Sequence, residues 1–252
     1  MESQLNLVTI KWGSKFPPEY PNLIHRMAKR WMPCEFNSYC ITDDGNGLDE
    51  DIRVVETTEK WLWDDIISMD QWWFWDAIKM SLFAPKLCGI EGKILFSDLD
   101  NLFHGPLDKI VETPTPAIIG TRWMPPWQVG MHGGNYFLTM YNASLIYVDN
   151  TQPLTNDIWN HFCKHYDKAK ASLYSSDAYL WRVWRNTMNT YPPKTVYSYN
   201  RGGDYPDSFS ADRGAKYIKR DDYSVCVFME DHEPDPLDIQ EGWVADIWKQ
   251  YL

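Results

Sequence analysis

Two aspartates one residue apart, Asp98 and Asp100, directly follow the apolar run Lys93 to Phe96. In extended chain residues i and i+2 point to the same side, so both carboxylates can face one cleft while Leu99 turns into the core. Carboxylates held that close repel each other unless protons or a cation relieve them. A divalent ion bound by oxygen, Mn2+ or Mg2+ bridging to phosphates, is the usual relief. With 24 aspartates in 252 residues, chance supplies about two Asp-x-Asp triplets, so context has to separate them. Asp49-Glu50-Asp51 lies in the polar turn GNGLDEDIR, whereas Asp98-Leu99-Asp100 caps an apolar strand. An exposed turn pair is the bland alternative. Further groups fit the same chemistry. Lys79 precedes the pair and by itself reads as a solvated helix face. Asp177, in SSDAYLW, reads as nucleophile, base, acceptor ligand or helix N-cap.

The elements that must position these residues alternate between strand and helix. Leu5 to Trp12 reads as a first strand ended by Gly13, Pro17 and Pro18. Tyr20, Leu23, Ile24, Met27, Ala28 and Trp31 recur at helical spacing, and Pro33 closes that segment. Phe36 to Thr42 and Ile52 to Val55 read as strands, the first ending in the turn Asp43-Asp44-Gly45. A helix over Asp76 to Leu87, with Ile78, Leu82 and Phe83 inward, leads to the Lys93 to Phe96 strand. Strands are expected at Ala117 to Gly120, Leu145 to Val148 and Ser224 to Phe228, and helices at Asp157 to Ala169, Ser176 to Trp184 and Trp243 to Tyr251. Gly120 to Asn142, rich in Trp, Pro, Gly and Met, lacks periodicity and reads as a substrate-facing loop. The class is α/β with a mixed sheet, and in such sheets ligands bind beyond the carboxyl ends of the strands.

The segment GKILFSDLDNLFHGPLDKI resembles the Asp-x-Asp region of GT-A glycosyltransferases, especially bacterial and viral relatives of the glycogenin-like family 8 enzymes. LVTIKWGSKFPPEYPNLIHRMAKRW with FNSYCITDD is similar to that group's first nucleotide-binding strand, helix and second strand, and YNASLIYVD resembles its acceptor-side strand. The resemblance covers nearly the whole chain. It implies a single GT-A (Rossmann-like) domain over 1–252, with a central mixed, mostly parallel sheet flanked by helices. Residues 1–100 would form the nucleotide-binding half and 101–252 the acceptor-binding half.

By that resemblance Thr9, Lys11, Trp12, Asp43 and Asp44 contact base and ribose of a nucleotide-sugar donor, and Lys79 the diphosphate. Asp98 binds ribose, metal or both, and Asp100 is the firmer ligand of Mn2+ (or Mg2+). The third metal ligand of the family follows a Val-Phe strand end. Here Met229 stands directly after Val227 and Phe228, so His232 takes that role only across a short insertion. A polar loop histidine is the other reading of His232, and His104, His132 and His161 are weaker candidates. Asp177 and Asn142 are the expected catalytic or acceptor-side groups, with Ser144, Tyr199 and Arg201 nearby in role. The implied reaction moves a sugar from a UDP-sugar to a glycan or other hydroxyl, with retention.

Composition narrows the partners. A net charge of -11 opposes nonspecific binding to nucleic-acid phosphate. Five cysteines without C-x-x-C spacing signal neither a zinc site nor a disulfide framework. Neither a basic leader nor a run of about 18 apolar residues is visible, so no membrane span and a cytoplasmic location are expected. Two rival functions remain. A noncatalytic carbohydrate-binding protein would use the Trp-rich stretches 61–75 and 123–127 for stacking. A nucleotidyltransferase would want a glycine-rich phosphate loop after the first strand, where only Gly13 is followed by bulky Phe16, Pro17 and Pro18.

Overall fold

The computed structural model describes residues 4–68, 76–124, 139–173, 175–206, 218–228 and 235–252, with 72–75 by backbone alone. The chain begins in the middle of its main sheet. Strand β1 (Leu5–Lys11) pairs in parallel with β2 (Phe36–Thr42), and β2 with β3 (Ile52–Val55). Helix α1 (Glu19–Trp31) makes the first crossover; its buried stripe includes Leu23, Ile24, Met27 and Ala28. After β3 the chain forms α2 (Lys60–Ile67) and a 3-10 segment (Trp72–Phe83), then inserts β4 (Lys93–Ser97) parallel to β1 on its other side. The order of the seven strands is β3-β2-β1-β4-β7-β6-β8, with β6 at Ala117–Gly120, β7 at Tyr141–Asp149 and β8 at Asn189–Thr190. Strand β7 runs antiparallel to both β4 and β6.

Two cores, one on each face, follow from the period-2 alternation of the strands. Leu5, Leu7, Leu95, Ala117, Ile119, Leu145 and Tyr147 pack with α1 on one side. Val8, Ile94, Phe96, Ile118, Ile146 and Val148 pack on the other, against α2, the 3-10 segment and α4 (Pro153–Lys164). The first face is extended by a small sheet of β5 (Leu102–Phe103), β10 (Val225–Val227) and β9 (Val196–Ser198). Short helices α3 (Asp108–Val111), α5 (Tyr166–Ser172), α6 (Ser176–Trp184) and α7 (Gly242–Trp248) complete the described elements. The expected α/β class with a mixed, mostly parallel sheet is the observed one.

Several local expectations are corrected. The helix expected over Asp76 to Leu87 is the 3-10 segment Trp72–Phe83, which ends before Pro85. Beyond it Lys86 and Cys88 take positive φ, 57° and 51°, around a second 3-10 turn, Leu87–Gly89. A proline disfavours α geometry in the residue before it, which accounts for the stop. The helix expected over Asp157 to Ala169 begins earlier, with Pro153 in its first turn, and breaks at His165 into α4 and α5. Helix α7 stops at Trp248 rather than Tyr251, and β7 spans nine residues rather than Leu145 to Val148 alone. Of the supposed loop Gly120 to Asn142, residues 125–138 lie outside the described residues. No helix among the described residues is long and apolar enough to cross a membrane.

Because β4 carries the acidic pair and sits in the sheet centre, its packing sets the position of that pair. Leu95 is fully buried there. Leu95→Ala is expected to cost about 2–5 kcal/mol of unfolding free energy, read from urea denaturation.

Candidate active site

Strands β1, β2 and β4 are parallel neighbours, so their carboxyl ends, at Lys11, Thr42 and Ser97, line one edge of the sheet. The crossover from β3 to the far side of β1 makes the β1–β4 boundary a topological switch point, the place where open α/β sheets bind their ligands. Asp98 and Asp100 stand directly beyond β4.

The turn that carries them is fixed from β7. The register of β6 against β7 steps from Ile118–Ile146 to Ile119–Asn142, so Ala143 to Leu145 bulge away from β6. Within the bulge the Ser144 carbonyl accepts the Asp98 N–H at 2.8 Å and the Asn101 side-chain amide at 2.7 Å. Asn101, fully buried, also donates to Ser97 Oγ at 3.0 Å. The Asn142 amide oxygen accepts the Ser144 N–H at 3.0 Å, which holds the start of the bulge. The backbone N–H of Ala143 donates to Asp177 Oδ1 at 2.9 Å, so the bulge joins the acidic turn to α6.

Charge is concentrated around one lysine. Lys79 Nζ donates to Asp98 Oδ2 at 2.6 Å, with the two side chains 17% and 23% exposed. Burial alone would lower the Lys79 ammonium, but Asp98, Asp76 and Asp177 hold it above its ordinary value. Burial, reinforced by Asp98, pushes Asp100 up to about 7. Its Oδ1 is buried with no internal partner. Burial, with Asp76 next in weight, pushes Asp177 up to about 8. Asp76 itself is raised by burial despite accepting both the N–H and the hydroxyl of Ser176. A carboxylate pair with an orphaned buried oxygen suits a divalent cation, which takes oxygen ligands. Among the described residues no group of three His, Cys, Asp or Glu converges on one point. His232 and His132 lie outside the described residues.

The other expected residues make contacts of their own, those of the first half at the carboxyl ends of β1 and β2. Thr9 is buried and its hydroxyl donates to the Tyr39 carbonyl at 3.4 Å. Lys11 is also buried, with Nζ on the Asp44 carbonyl at 3.2 Å. Both oxygens of Asp43 accept the Gly13 N–H, at 3.1 and 3.2 Å, and Asp44 Oδ1 closes a turn on Asn46. Trp12 stays partly exposed, its ring edge-on to Trp63 at 4.9 Å. Of these candidates the structure gathers Lys79, Asp98, Asp100 and Asp177, and Asn142 adjoins them through the bulge. The N-cap of α6 is Ser175, whose Oγ accepts the Ala178 N–H at 3.1 Å, so Asp177 is not the cap. Ser144 contributes its backbone. Tyr199 stacks on Phe228 at 4.4 Å beside the small sheet, and the Arg201 N–H donates to Ser198 Oγ at 3.2 Å. His161 bonds the Tyr179 hydroxyl at 2.7 Å, and His104 packs edge-on against Tyr197, its pKa lowered to about 4 by burial.

Asp76 and Tyr20 are the residues that sequence reasoning missed. Asp76 stands three residues before Lys79, one full turn of a 3-10 helix, so the two share a side. Three-residue spacing puts the two on one side of an α-helix as well, so it does not mark Asp76 out; its contact with Ser176 does. Tyr20, buried in the first turn of α1, is raised by burial and then by Asp235, Asp238 and Asp100, which brings α1 to the acidic turn.

No protein-family model matches the chain, and no curated protein matches it in sequence. Solved structures match it in fold. Two structures of LgtC, one an active-site mutant and one a galactosyltransferase complex with donor and acceptor sugar analogues, align at a TM-score of 0.64. They share 13% identity with the chain over 98% of its length and 94% of theirs. The glycosyltransferase GlyE of Streptococcus pneumoniae aligns at 0.59 and 10% identity, over 99% of this chain and 60% of its own. The bifunctional WbbM aligns at 0.59 and 12%, over 100% of this chain and 50% of its own. The chain therefore has the GT-A fold of these glycosyltransferases; the likeness does not single out the glycogenin-like branch.

Two outcomes follow from the site's geometry. Asn101→Ala leaves the Ser144 carbonyl and Ser97 hydroxyl short of a donor, and is expected to cost about 1–3 kcal/mol in chemical denaturation. Asp100 and Asp177 bind protons more tightly folded than unfolded, at about 7 and about 8. Their contribution is complete below the unfolded carboxylate range, near pH 4, and is lost as pH rises through those folded values. In chelator-treated buffer the melting temperature of the native chain should fall relative to that of Asp177→Asn as pH rises from about 4 to about 8. An equal slope in both proteins contradicts the assignment.

Proposed function

We propose that the chain is a glycosyltransferase that moves a sugar from a nucleoside diphosphate donor, a UDP-sugar, to a hydroxyl of a glycan or other acceptor. The observation that carries the reading is the acidic turn at the switch point. Asp98 and Asp100 stand at the carboxyl end of β4, Asp100 has a buried oxygen without a partner, and Lys79 lies against Asp98 at 2.6 Å. The fold shared with LgtC, crystallised with donor and acceptor sugar analogues, supports the same class of reaction.

In this reading Asp98 and Asp100 hold Mn2+ or Mg2+, with His232 as a third ligand. Such an ion, when bound, offsets negative charge growing on the departing diphosphate. Lys79 adds its ammonium to the same phosphates, so its bond to Asp98 is shared or exchanged as the donor arrives. Thr9, Lys11, Asp43 and Asp44 frame the nucleoside at the ends of β1 and β2, and Trp12 offers a partly exposed ring for it. Asn142 and Asp177 orient the acceptor hydroxyl, a positioning role in which small displacements are costly. Asp177, near 8 when buried, holds a proton at neutral pH and so can donate a hydrogen bond to the sugar or acceptor. In a retaining transfer an oxygen of the departing diphosphate can itself take the acceptor proton.

A panel of UDP- and GDP-sugars with Mn2+, scored for slow donor hydrolysis, tests this. One donor should be hydrolysed by the native chain, and Asp100→Ala should lower that rate by about 100-fold or more. A melting temperature raised by UDP only in the presence of Mn2+ should accompany it. Equal hydrolysis by both proteins defeats the metal assignment, and no turnover or nucleotide-dependent stabilisation with any donor defeats the reading as a whole.

A further inference from the structure

We infer that Asp76 is a positioning residue for this site: it closes a ring of hydrogen bonds that sets Asp177 relative to Asp98. The role in transfer rests on the function proposed above, and the ring itself does not.

The ring passes through four elements. Asp76, on the 3-10 segment, accepts the Ser176 N–H at 3.1 and 3.0 Å through its two oxygens and the Ser176 hydroxyl at 2.6 Å. The next residue along α6 is Asp177, whose Oδ1 accepts the Ala143 N–H on β7 at 2.9 Å. One residue further along β7, the Ser144 carbonyl accepts the Asp98 N–H at 2.8 Å. Asp98 Oδ2 accepts from Lys79 at 2.6 Å, and Lys79 lies one 3-10 turn from Asp76. Each link is short, and Asp76 is 100 residues from its partner in sequence, so the contact is a tertiary brace.

A plain capping role does not account for Asp76. Helix α6 already has its N-cap in Ser175, and Ser176 is 1% exposed. A second carboxylate there sits near Asp177 and Asp98, both of which oppose its charge or feel it. A neutral acceptor would satisfy the Ser176 N–H without that repulsion. What the carboxylate adds is the ability to take both Ser176 donors while facing Lys79, so that one side chain fastens α6 to the segment that grips Asp98. With the ring open, α6 and β7 keep their own cores, but the spacing of Asp177 from Asp98 is no longer set.

The test uses Asp76→Ala, Asp76→Asn and Ser176→Ala in the full chain, with amide hydrogen exchange of Ala143 followed by NMR and referenced to the core amide of Leu95. In Asp76→Ala the Ala143 amide should exchange about tenfold faster relative to Leu95, as a local opening. Asp76→Asn, which keeps an acceptor for the Ser176 N–H, should recover most of the protection. With the donor found active, kcat should fall about 10–100-fold in Asp76→Ala while the donor KM changes little, the mark of lost orientation. Unchanged relative protection of Ala143 in Asp76→Ala overturns the brace, whatever the turnover. Loss of protection with undiminished kcat overturns its role in transfer. Should Asp76→Ala not fold, Ser176→Ala removes the hydroxyl link alone, and the same comparison at Ala143 decides. Failure of every donor in the native chain, with the Ala143 difference intact, strikes the glycosyltransferase reading and leaves the brace standing.

Discussion

Four carboxylates, Asp76, Asp98, Asp100 and Asp177, share the field of one ammonium, Lys79, at a half-buried strand end. Withdrawal from water strengthens their mutual repulsion and penalises each ionised form, and a single cation cannot neutralise all of them. The site relieves the excess by holding protons, with Asp100 near 7 and Asp177 near 8. Relief by protons is exchangeable. Under the proposed function a divalent ion would supply the same neutralisation and displace protons, which would couple occupancy of the site to pH.

Keeping such a cluster together requires a scaffold that gains more elsewhere, and the two cores supply it. The strand ends are fixed by alternating apolar residues on both faces of the sheet, and the four acids come from three places around it. Asp98 and Asp100 follow β4, Asp177 opens α6, and Asp76 lies on the 3-10 segment packed between α2 and α4. The bulge in β7 is the pivot. Its irregular register frees the Ala143 N–H and turns the Ser144 carbonyl toward the acidic turn, so a defect in one ladder becomes the joint between that turn and α6.

The strands of the first half were legible because each is a compact apolar run bounded by turn residues, and their parallel order puts the candidate residues that follow β1, β2 and β4 on one edge. Context also separated Asp98 and Asp100 from Asp49 and Asp51. Asp49 proves to be paired with Arg26 at 2.7 Å, an ordinary structural contact. What stayed hidden has identifiable causes. Strands β5, β8 and β9 have two or three residues, too few for alternation to register. Helix α2 escaped because its Trp61 and Trp63 read as part of a longer aromatic tract, although Leu62, Trp63 and Ile66 form an inward face. In the run Ser175-Ser176-Asp177 any residue can cap a helix, and only the extended backbone of Ser175, φ -161° and ψ 166°, decides among them. Asp76 was invisible because its meaning depends on Ser176, a partner that only the tertiary fold brings near.

The same charge balance constrains how a nucleoside diphosphate can enter under the proposed function. The protein carries a net charge of -11, which opposes the approach of a free diphosphate, and each proton lost from Asp100 or Asp177 adds to that opposition. Lys79 alone offsets little of this, being already engaged with Asp98. The residues at the ends of β1 and β2 are similarly committed: Thr9, Lys11, Asp43 and Asp44 are already hydrogen-bonded to neighbouring strands and turns. Favourable entry therefore needs a cation to come with the phosphates or ahead of them, and binding of the two becomes mutually reinforcing, each raising the affinity for the other by the same factor.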